Sequence, residues 1–348
     1  MTDSNKPKIR LAIQSPASFG FGGGHILAFM YKKHMSALGY DIDFLDFSDR
    51  QDDFDILHVI GMQLNNCLTG FEAKSKGKKI VLSSLFYTDA NLFLYKLTEK
   101  IMSNRFMAFS QNKFFLMQQL LDISDVILPS CHAEVNQMSR IFNLEKSKVN
   151  VIYNGVDDDF FEGVDKNIFI QEFGVEPGYV LCVANINRKK NIANLINAFL
   201  KTDLNAKLVL VGIYNYDGDL EYCHEVERLI QENKSRIVHA ENLSREMLAS
   251  AYVNAKVHIL PSLWDLPGLA TMEAGLAGAQ LIVGDCPPVR EYFKAHALYC
   301  KPGDIVDISK KINEAYSLPS SNGTSNFIKT NYAWREIAKK LANVYDSL

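Results

Sequence analysis

The chain has 348 residues with a formal net charge of -3 and 22% charged residues, which excludes the global positive charge of a general nucleic-acid binder and the composition of a disordered chain. Its length predicts two domains of about 150 residues each. The 6 cysteines form no C-x-x-C pair, so we expect reduced thiols and no zinc ribbon. The first apolar run, Ile9–Ile13, is too short for a signal peptide or a membrane span, so we expect a cytoplasmic protein.

Short apolar runs alternate with helical patterns along the whole chain. In the first half the predicted strands are Ile9–Gln14, Asp41–Phe47, Ile56–Ile60, Lys79–Ser83 and Asp125–Pro129, with a helix at Ile26–Leu38. After Gly178 the predicted strands are Tyr179–Ala184, Lys207–Gly212, Ile237–His239, Lys256–Leu260 and Gln280–Gly284, with helices at Asn191–Phe199 and Leu220–Asn233. This alternation predicts an α/β protein with a parallel sheet in each half.

Turn-forming residues mark the domain boundaries. An Asp-rich turn followed by Gly163 and Gly174 separates the halves, and the linker Pro319–Ser325 precedes a terminal amphipathic helix. We therefore predict a first domain over residues 1–163, a second over 164–324, and a terminal segment over 325–348.

A glycine cluster follows the first strand, in the stretch Ser18–Phe29. Between a strand and a helix, Gly23 and Gly24 can hold a phosphate on backbone N–H groups. As a dinucleotide fingerprint the cluster fails, because His25 replaces the last glycine of G-x-G-x-x-G. A turn that needs glycine only for its backbone angles is the alternative interpretation.

Two carboxylates follow a strand in the second half, within I-L-P-S-L-W-D-L-P-G-L-A-T-M-E-A-G-L-A-G. The strand delivers Asp265 to a loop at its carboxyl end, where open α/β sheets bind their ligands. Gly268 is expected to open a helix, where the N–H groups of Gly268 and Leu269 can face a diphosphate and Glu273 can accept a hydrogen bond from a ribose.

This segment resembles the hallmark of the retaining glycosyltransferases of family 4, P-S-x-x-E-G-F-G-L-x-x-x-E-A-x-A-x-G, with Asp265 in place of the first Glu. The stretches Ser124–Ser130, Ile152–Asp157 and Val183–Asn191 are similar to further family segments, in the same order. The resemblance implies the GT-B fold: two facing Rossmann-like domains, with a terminal helix that crosses back to the first.

The resemblance also assigns the donor site. Family members bind the donor diphosphate through an Arg and a Lys. Lys190 keeps the Lys position, Asn185 stands at the Arg position, and Arg188 is expected to supply the second charge. We therefore predict Asp265, Lys190 and Arg188 as catalytic residues, and as donor-binding residues Gly23, Gly24, Asn185, Gly268, Leu269 and Glu273. The resemblance places the glycine loop on the other wall of the same cleft.

Cations and N–H dipoles stabilise a diphosphate leaving group when no metal is present. We predict metal-independent transfer without a cofactor, because Asp217-Gly218-Asp219 is typical of a solvated turn rather than a metal site. The family implies attack on the face that the diphosphate leaves, with that phosphate accepting the acceptor's proton.

The first domain is expected to bind the acceptor. Many family members have a histidine near the transferred sugar after the strand equivalent to Ile80–Ser84, and Leu85 follows that strand here. His58 matches another family histidine or is a core residue, and His132 is more typical of local structure. The aromatic and basic segment Phe93–Leu121 predicts either a peripheral membrane contact or ordinary core helices.

The resemblance as a whole implies a retaining hexosyltransferase that uses a UDP- or GDP-sugar and a glycan or lipid-linked acceptor, in bacterial cell-surface polysaccharide synthesis. No nucleic-acid partner is expected. A sugar-nucleotide epimerase or an NAD-dependent dehydrogenase with Rossmann domains is the alternative.

Overall fold

The computed structural model describes residues 6–13, 22–48, 53–88, 113–215, 219–319 and 322–348. These residues form two compact units, one that ends at Asn154 and also includes Trp334–Leu348, and one that spans Gly155–Ala333. The boundaries between these units follow Asn154 and Ala333, whereas the sequence predicted boundaries after residues 163 and 324. The backbone explains the difference, because the N–H of Val156 donates to the carbonyl of Tyr332 at 2.7 Å and so ties both ends of the second unit together.

The first unit contains a five-stranded parallel sheet in the order β2-β1-β3-β4-β5. Its strands are β1 (Ile9–Ile13), β2 (Ile42–Phe44), β3 (Ile56–Ile60), β4 (Lys79–Ser83) and β5 (Val126–Leu128). Its described helices are α1 (Gly23–Ala37), α2 (Leu64–Ser75), α3 (Lys113–Ile123) and α4 (His132–Ile141). Every residue of β3 is buried, as expected for a central strand with both faces covered.

The terminal helix α13 (Trp334–Asp346) completes the core of the first unit. Its apolar face, which includes Trp334, Ile337 and Leu341, packs in the same cluster as β1 and α1. Tyr345 from this helix reaches His58 in β3, with its hydroxyl 2.6 Å from Nδ1, while Nε2 lies 2.8 Å from the Ser83 hydroxyl. Burial lowers the pKa of His58 to about 3, so the ring is neutral, and its contacts are those of a core residue.

The second unit contains a six-stranded parallel sheet in the order β11-β10-β9-β6-β7-β8. Its strands are β6 (Tyr179–Val183), β7 (Leu208–Val211), β8 (Ile237–Ala240), β9 (Ala255–Leu260), β10 (Gln280–Gly284) and β11 (Leu298–Cys300). Its described helices are α5 (Asn167–Phe173), α6 (Ile192–Leu200), α7 (Leu220–Glu232), α8 (Arg245–Val253), α9 (Leu269–Leu276), α10 (Pro287–Phe293), α11 (Ile305–Ser317) and α12 (Gly323–Tyr332). The alternation of strands and helices predicted from the sequence is thus present in both units.

Two glycines allow neighbouring loops to meet at the carboxyl edge of this second sheet. A Cβ atom at Gly212 would lie 2.0 Å from the carbonyl oxygen of Ala184, and one at Gly284 would lie 2.1 Å from that of Ser262. Any larger residue would therefore push apart the ends of β6 and β7, or of β9 and β10. Because β6 and β9 pair directly in the sheet, the loops that follow them lie side by side, and the predicted donor residues lie in these loops.

Candidate active site

A carboxylate held by two lysines forms the centre of the site in the second unit. Lys190 Nζ donates to Asp265 Oδ2 at 2.6 Å, and Lys189 Nζ lies 3.5 Å from Oδ1. The Ser262 hydroxyl is 3.2 Å from Oδ2. The Asp265 side chain is only 9% exposed, and its pairing with the lysines, above all with Lys190, offsets part of the cost of burying its charge. The structure thus brings together Lys190 and Asp265, two of the three residues predicted to be catalytic.

A short turn after β6 presents these lysines. Arg188–Lys190 form one turn of 3₁₀ helix, and the Asn187 side chain accepts from the Lys190 N–H at 3.1 Å. Asn191 then adopts a left-handed conformation, with φ 61°, and its side-chain amide donates to the carbonyls of Pro261 and Pro302. The N–H of Leu263 donates to the Lys189 carbonyl at 2.9 Å. The turn is therefore bonded directly to the loop that carries Asp265.

Arg188 points away from this carboxylate. Its Nε and Nη2 atoms donate to the two oxygens of Asp219 at 2.6 and 3.2 Å, and its guanidinium lies over the Tyr222 ring. Asp219 also caps α7 by accepting from the Tyr222 N–H. Asn185, at the family's Arg position, is half-buried directly after β6. The structure therefore joins Lys190 to Asp265 but does not join Arg188 to them.

The helix α9 begins beside Asp265. Gly268 is its N-cap residue and has no side chain that could cap the helix, and Leu269 is the first helical residue. A small recess lies at this point, with Ser262, Asp265, Gly268 and Thr271 among its lining residues. Uncapped N–H groups and the positive end of a helix favour a negatively charged group. The predicted residues Gly268 and Leu269 are thus next to the lysine–aspartate cluster.

Glu273 belongs to a second polar cluster, further along α9. Its Oε2 atom accepts from the Tyr252 hydroxyl at 2.9 Å. Nearby, Arg245 pairs with the buried Asp157 at 3.0 Å. Burial raises the pKa of Glu273 to about 7, while the Tyr252 hydroxyl and the Arg245 charge act in the opposite direction. The sequence identified Glu273, but only the fold reveals Tyr252 and Arg245 as its surroundings.

The raised pKa of Glu273 predicts a pH dependence of stability. In the folded protein Glu273 keeps its proton above 4.5, the ordinary value, and its stabilising contribution is lost as the pH rises through about 7. We expect the free energy of unfolding of the wild type to fall, relative to Glu273→Gln, as the pH rises from 4.5 to about 7, and to change little above that. Urea unfolding across this range measures the difference, with the exposed Glu227→Gln as control. Parallel curves for wild type and Glu273→Gln would contradict the assignment.

The glycine turn of the first unit begins α1. Gly22 is the N-cap residue, with extended backbone and no side-chain cap, and Gly23 and Gly24 are helical. Among the described residues, a Cβ atom at Gly22 or Gly23 would meet nothing within 4 Å. Gly22–Gly24 do not have a positive φ, so their backbone angles do not require glycine. Gly20, the other glycine of the cluster, lies outside the described residues, and the phosphate-binding role of the loop stays a prediction. Glycine at a helix start lets a ligand approach the backbone N–H groups closely.

Leu85, at the position of the family's histidine, has a strained backbone. Its φ of 45° is unusual for a non-glycine residue. The fully buried Glu134 carboxylate holds the residues on either side, accepting from the Ser84 hydroxyl and from the Phe86 N–H, and it also accepts from the N–H and hydroxyl of Ser130. Burial raises the pKa of Glu134. No sequence pattern indicates this support, because Glu134 lies about fifty residues away from Leu85 along the chain.

The remaining sequence predictions are only partly within the described residues. Asp217 and Gly218, and residues 93–112 of the aromatic segment, lie outside them, while the remainder of that segment belongs to α3 and has buried Met117 and exposed Phe115. In the described ranges, no three potential metal ligands cluster. No helix in the same ranges is long and apolar enough to cross a membrane. Metal independence and a peripheral membrane contact stay predictions.

Comparison with solved structures defines the class of fold. Sucrose-phosphate synthase from Thermosynechococcus elongatus aligns with a TM-score of 0.79 at 15% identity, covering 98% of both chains. HepE of Anabaena, solved in complex with UDP and glucose, aligns with a TM-score of 0.76 at 14% identity, covering 98% of this chain and 100% of that one. These likenesses confirm the predicted two-domain GT-B fold.

Sequence comparison then gives the family. The family described as Glycosyl transferases group 1 matches residues 164–341, about half of the chain, and the chain belongs to it. An uncharacterized glycosyltransferase of Methanocaldococcus jannaschii is 27% identical over 60% of this chain and 56% of its own length. An O-antigen chain mannosyltransferase of Salmonella typhimurium is 23% identical over 66% of this chain and 62% of its own. The matches thus span less than two thirds of these relatives. The predicted membership of a glycosyltransferase family is confirmed.

Proposed function

We propose that the protein is a retaining hexosyltransferase that uses a UDP- or GDP-sugar as donor and a glycan or lipid-linked acceptor, in the synthesis of a cell-surface polysaccharide. The O-antigen mannosyltransferases among its relatives support the polysaccharide role. The HepE structures with UDP and with UDP-glucose support a nucleotide-sugar donor. The observation that carries the proposal most strongly is the contact between Lys190 and Asp265 at the start of α9.

Each group of this cluster has a role in the proposed reaction. As the bond from the anomeric carbon to the donor diphosphate breaks, its electron pair passes to the diphosphate oxygen. Lys190 and the N–H groups at Gly268 and Leu269 stabilise that negative charge. Asp265 orients Lys190 and remains available to accept from a sugar hydroxyl.

The acceptor completes the exchange. Its hydroxyl oxygen bonds to the anomeric carbon on the face that the diphosphate leaves, so the configuration is retained. Its proton passes to the departing phosphate oxygen, and the products are a nucleoside diphosphate and the glycosylated acceptor. Glu273 is proposed to accept from the ribose hydroxyls of the donor, and Gly23 and Gly24 to approach the donor with their backbone. No metal or other cofactor takes part in this scheme.

A ligand panel tests the donor class. We expect at least one UDP- or GDP-sugar to raise the thermal unfolding temperature, because a ligand that binds only the folded protein stabilises it by mass action. The same stabilisation is expected with EDTA present. ADP-sugars and NAD serve as comparison ligands. Stabilisation by NAD alone would contradict the proposal in favour of a dehydrogenase or epimerase, and loss of stabilisation with EDTA would contradict metal-independent donor binding.

A further inference from the structure

The turn after β6 carries three adjacent cationic residues, Arg188, Lys189 and Lys190, and their side chains point in different directions. We infer that Lys189, rather than Arg188, joins Lys190 in binding the donor's diphosphate. The inference rests on the proposed function, because it assigns the second cation of the proposed donor site. It replaces the expectation drawn from the family pattern, in which Arg188 compensates for Asn185.

The geometry of the turn separates the three side chains. In a 3₁₀ helix successive residues are about 120° apart, so neighbouring side chains leave the axis in different directions. Lys189 and Lys190 both reach Asp265, one to each carboxylate oxygen. The Arg188 side chain points toward α7. There it donates two hydrogen bonds to Asp219, and its guanidinium lies over the Tyr222 ring. To reach the site, Arg188 must give up all of these contacts.

Lys189 is held near the site by its backbone as well as by its charge. Its carbonyl accepts from the Leu263 N–H, and its ammonium lies 5.9 Å from the centre of the Trp264 ring. Leu263, Trp264 and Asp265 are consecutive residues of the loop after β9. Three contacts with one loop therefore place the Lys189 ammonium beside the start of α9.

The charges of the cluster favour an added anion. Two ammonium groups face one carboxylate, which leaves a net positive charge beside the helix start. An ammonium group has three N–H donors. Among the described residues, the Lys189 ammonium has the 3.5 Å ion pair with Asp265 and the contact with the Trp264 ring, and its side chain is 38% exposed, so its donors can turn to phosphate oxygens without breaking a hydrogen bond to Asp265. Lys190, at 19% exposed, can keep its bond to Asp265 and offer its remaining donors.

Binding of nucleotides measures the contribution of each cation. We use calorimetry with UDP, GDP, UMP and GMP on the wild type and on Lys189→Met, Lys189→Arg, Arg188→Met and Lys234→Met. Lys234 is exposed in the turn before β8, at the opposite edge of the same sheet, and controls for the loss of one positive charge. Circular dichroism confirms that each variant is folded.

We expect Lys189→Met to weaken binding of the preferred nucleoside diphosphate about tenfold, as the loss of a charge-assisted hydrogen bond implies. Lys189→Met should weaken binding of the corresponding nucleoside monophosphate less. Lys189→Arg should retain most of the wild-type affinity for the diphosphate. Arg188→Met and Lys234→Met should change the affinity less than about twofold. A large loss with Arg188→Met and none with Lys189→Met would overturn the inference and leave the proposed function standing. Failure of the wild type to bind either diphosphate would overturn both.

Discussion

Replacing Lys190 by Met is expected to lower the rate of glycosyl transfer by about 10²–10³-fold, the range observed when one group that stabilises developing negative charge is removed from an enzyme. Lys190 is the partner that hydrogen-bonds Asp265, and it is the best buried cation of the cluster. The main effect should fall on kcat, because the charge on the diphosphate oxygen grows as the anomeric bond breaks. Release of the nucleoside diphosphate, followed over time, measures this rate.

Loss of Lys190 also leaves Asp265 with Lys189 as its single cation partner among the described residues, so stability needs a separate check. The double variant Lys190→Met/Asp265→Asn removes both charges of the pair. We expect it to recover part of any stability lost in Lys190→Met without recovering turnover. If Lys190→Met turns over donor within about threefold of the wild type, Lys190 does not contact the leaving group.

Replacing Glu134 by Ala is expected to lower the free energy of unfolding of the first unit by about 3 kcal/mol or more, since each buried donor that loses its partner costs about 1–3 kcal/mol. Glu134 accepts from the Ser84 and Ser130 hydroxyls and from the Phe86 and Ser130 N–H groups. It also supports the left-handed backbone of Leu85, whose strain costs about 1–3 kcal/mol. Urea unfolding measures the loss.

Hydrogen exchange gives a local measure of the same change. The Phe86 and Ser130 amides should exchange much faster in Glu134→Ala than in the wild type, because both donate to Glu134. Glu134→Gln retains one acceptor oxygen and should lose less stability. The exposed Glu145→Ala, a control in the same unit, should change stability by less than about 0.5 kcal/mol. Unchanged exchange at both amides in Glu134→Ala would show that Glu134 does not hold this turn.

The fold was predictable from the sequence because its central strands are continuous apolar runs. The predicted Ile56–Ile60, Lys79–Ser83 and Gln280–Gly284 coincide with β3, β4 and β10. The predicted Asp41–Phe47 is longer than β2, which pairs only over Ile42–Phe44. The short β11 and the helix α8 have no strong periodic pattern, and they are defined by packing against neighbours.

The individual acids and cations of the candidate site were predictable, but their contacts were not. The spacing of Asp265 and Glu273 follows from the motif, as does the position of Lys190 after β6. The choice between Arg188 and Lys189 depends on partners that are distant along the chain, Asp219 for one and Asp265 for the other. For the same reason, Tyr252 could not be assigned as the partner of Glu273, nor Glu134 as the support of Leu85.

The central claim is transfer of a sugar from a nucleotide donor, and donor cleavage tests it most directly. The wild-type protein is incubated with a panel of UDP- and GDP-sugars, with water as the minimal acceptor, and the phosphorus and anomeric proton signals are followed by NMR. We expect UDP or GDP to be released from at least one donor, with the anomeric configuration of the freed sugar retained at first appearance and with the release lost in Lys190→Met. Release with inverted configuration, or equal release by Lys190→Met, would contradict the account.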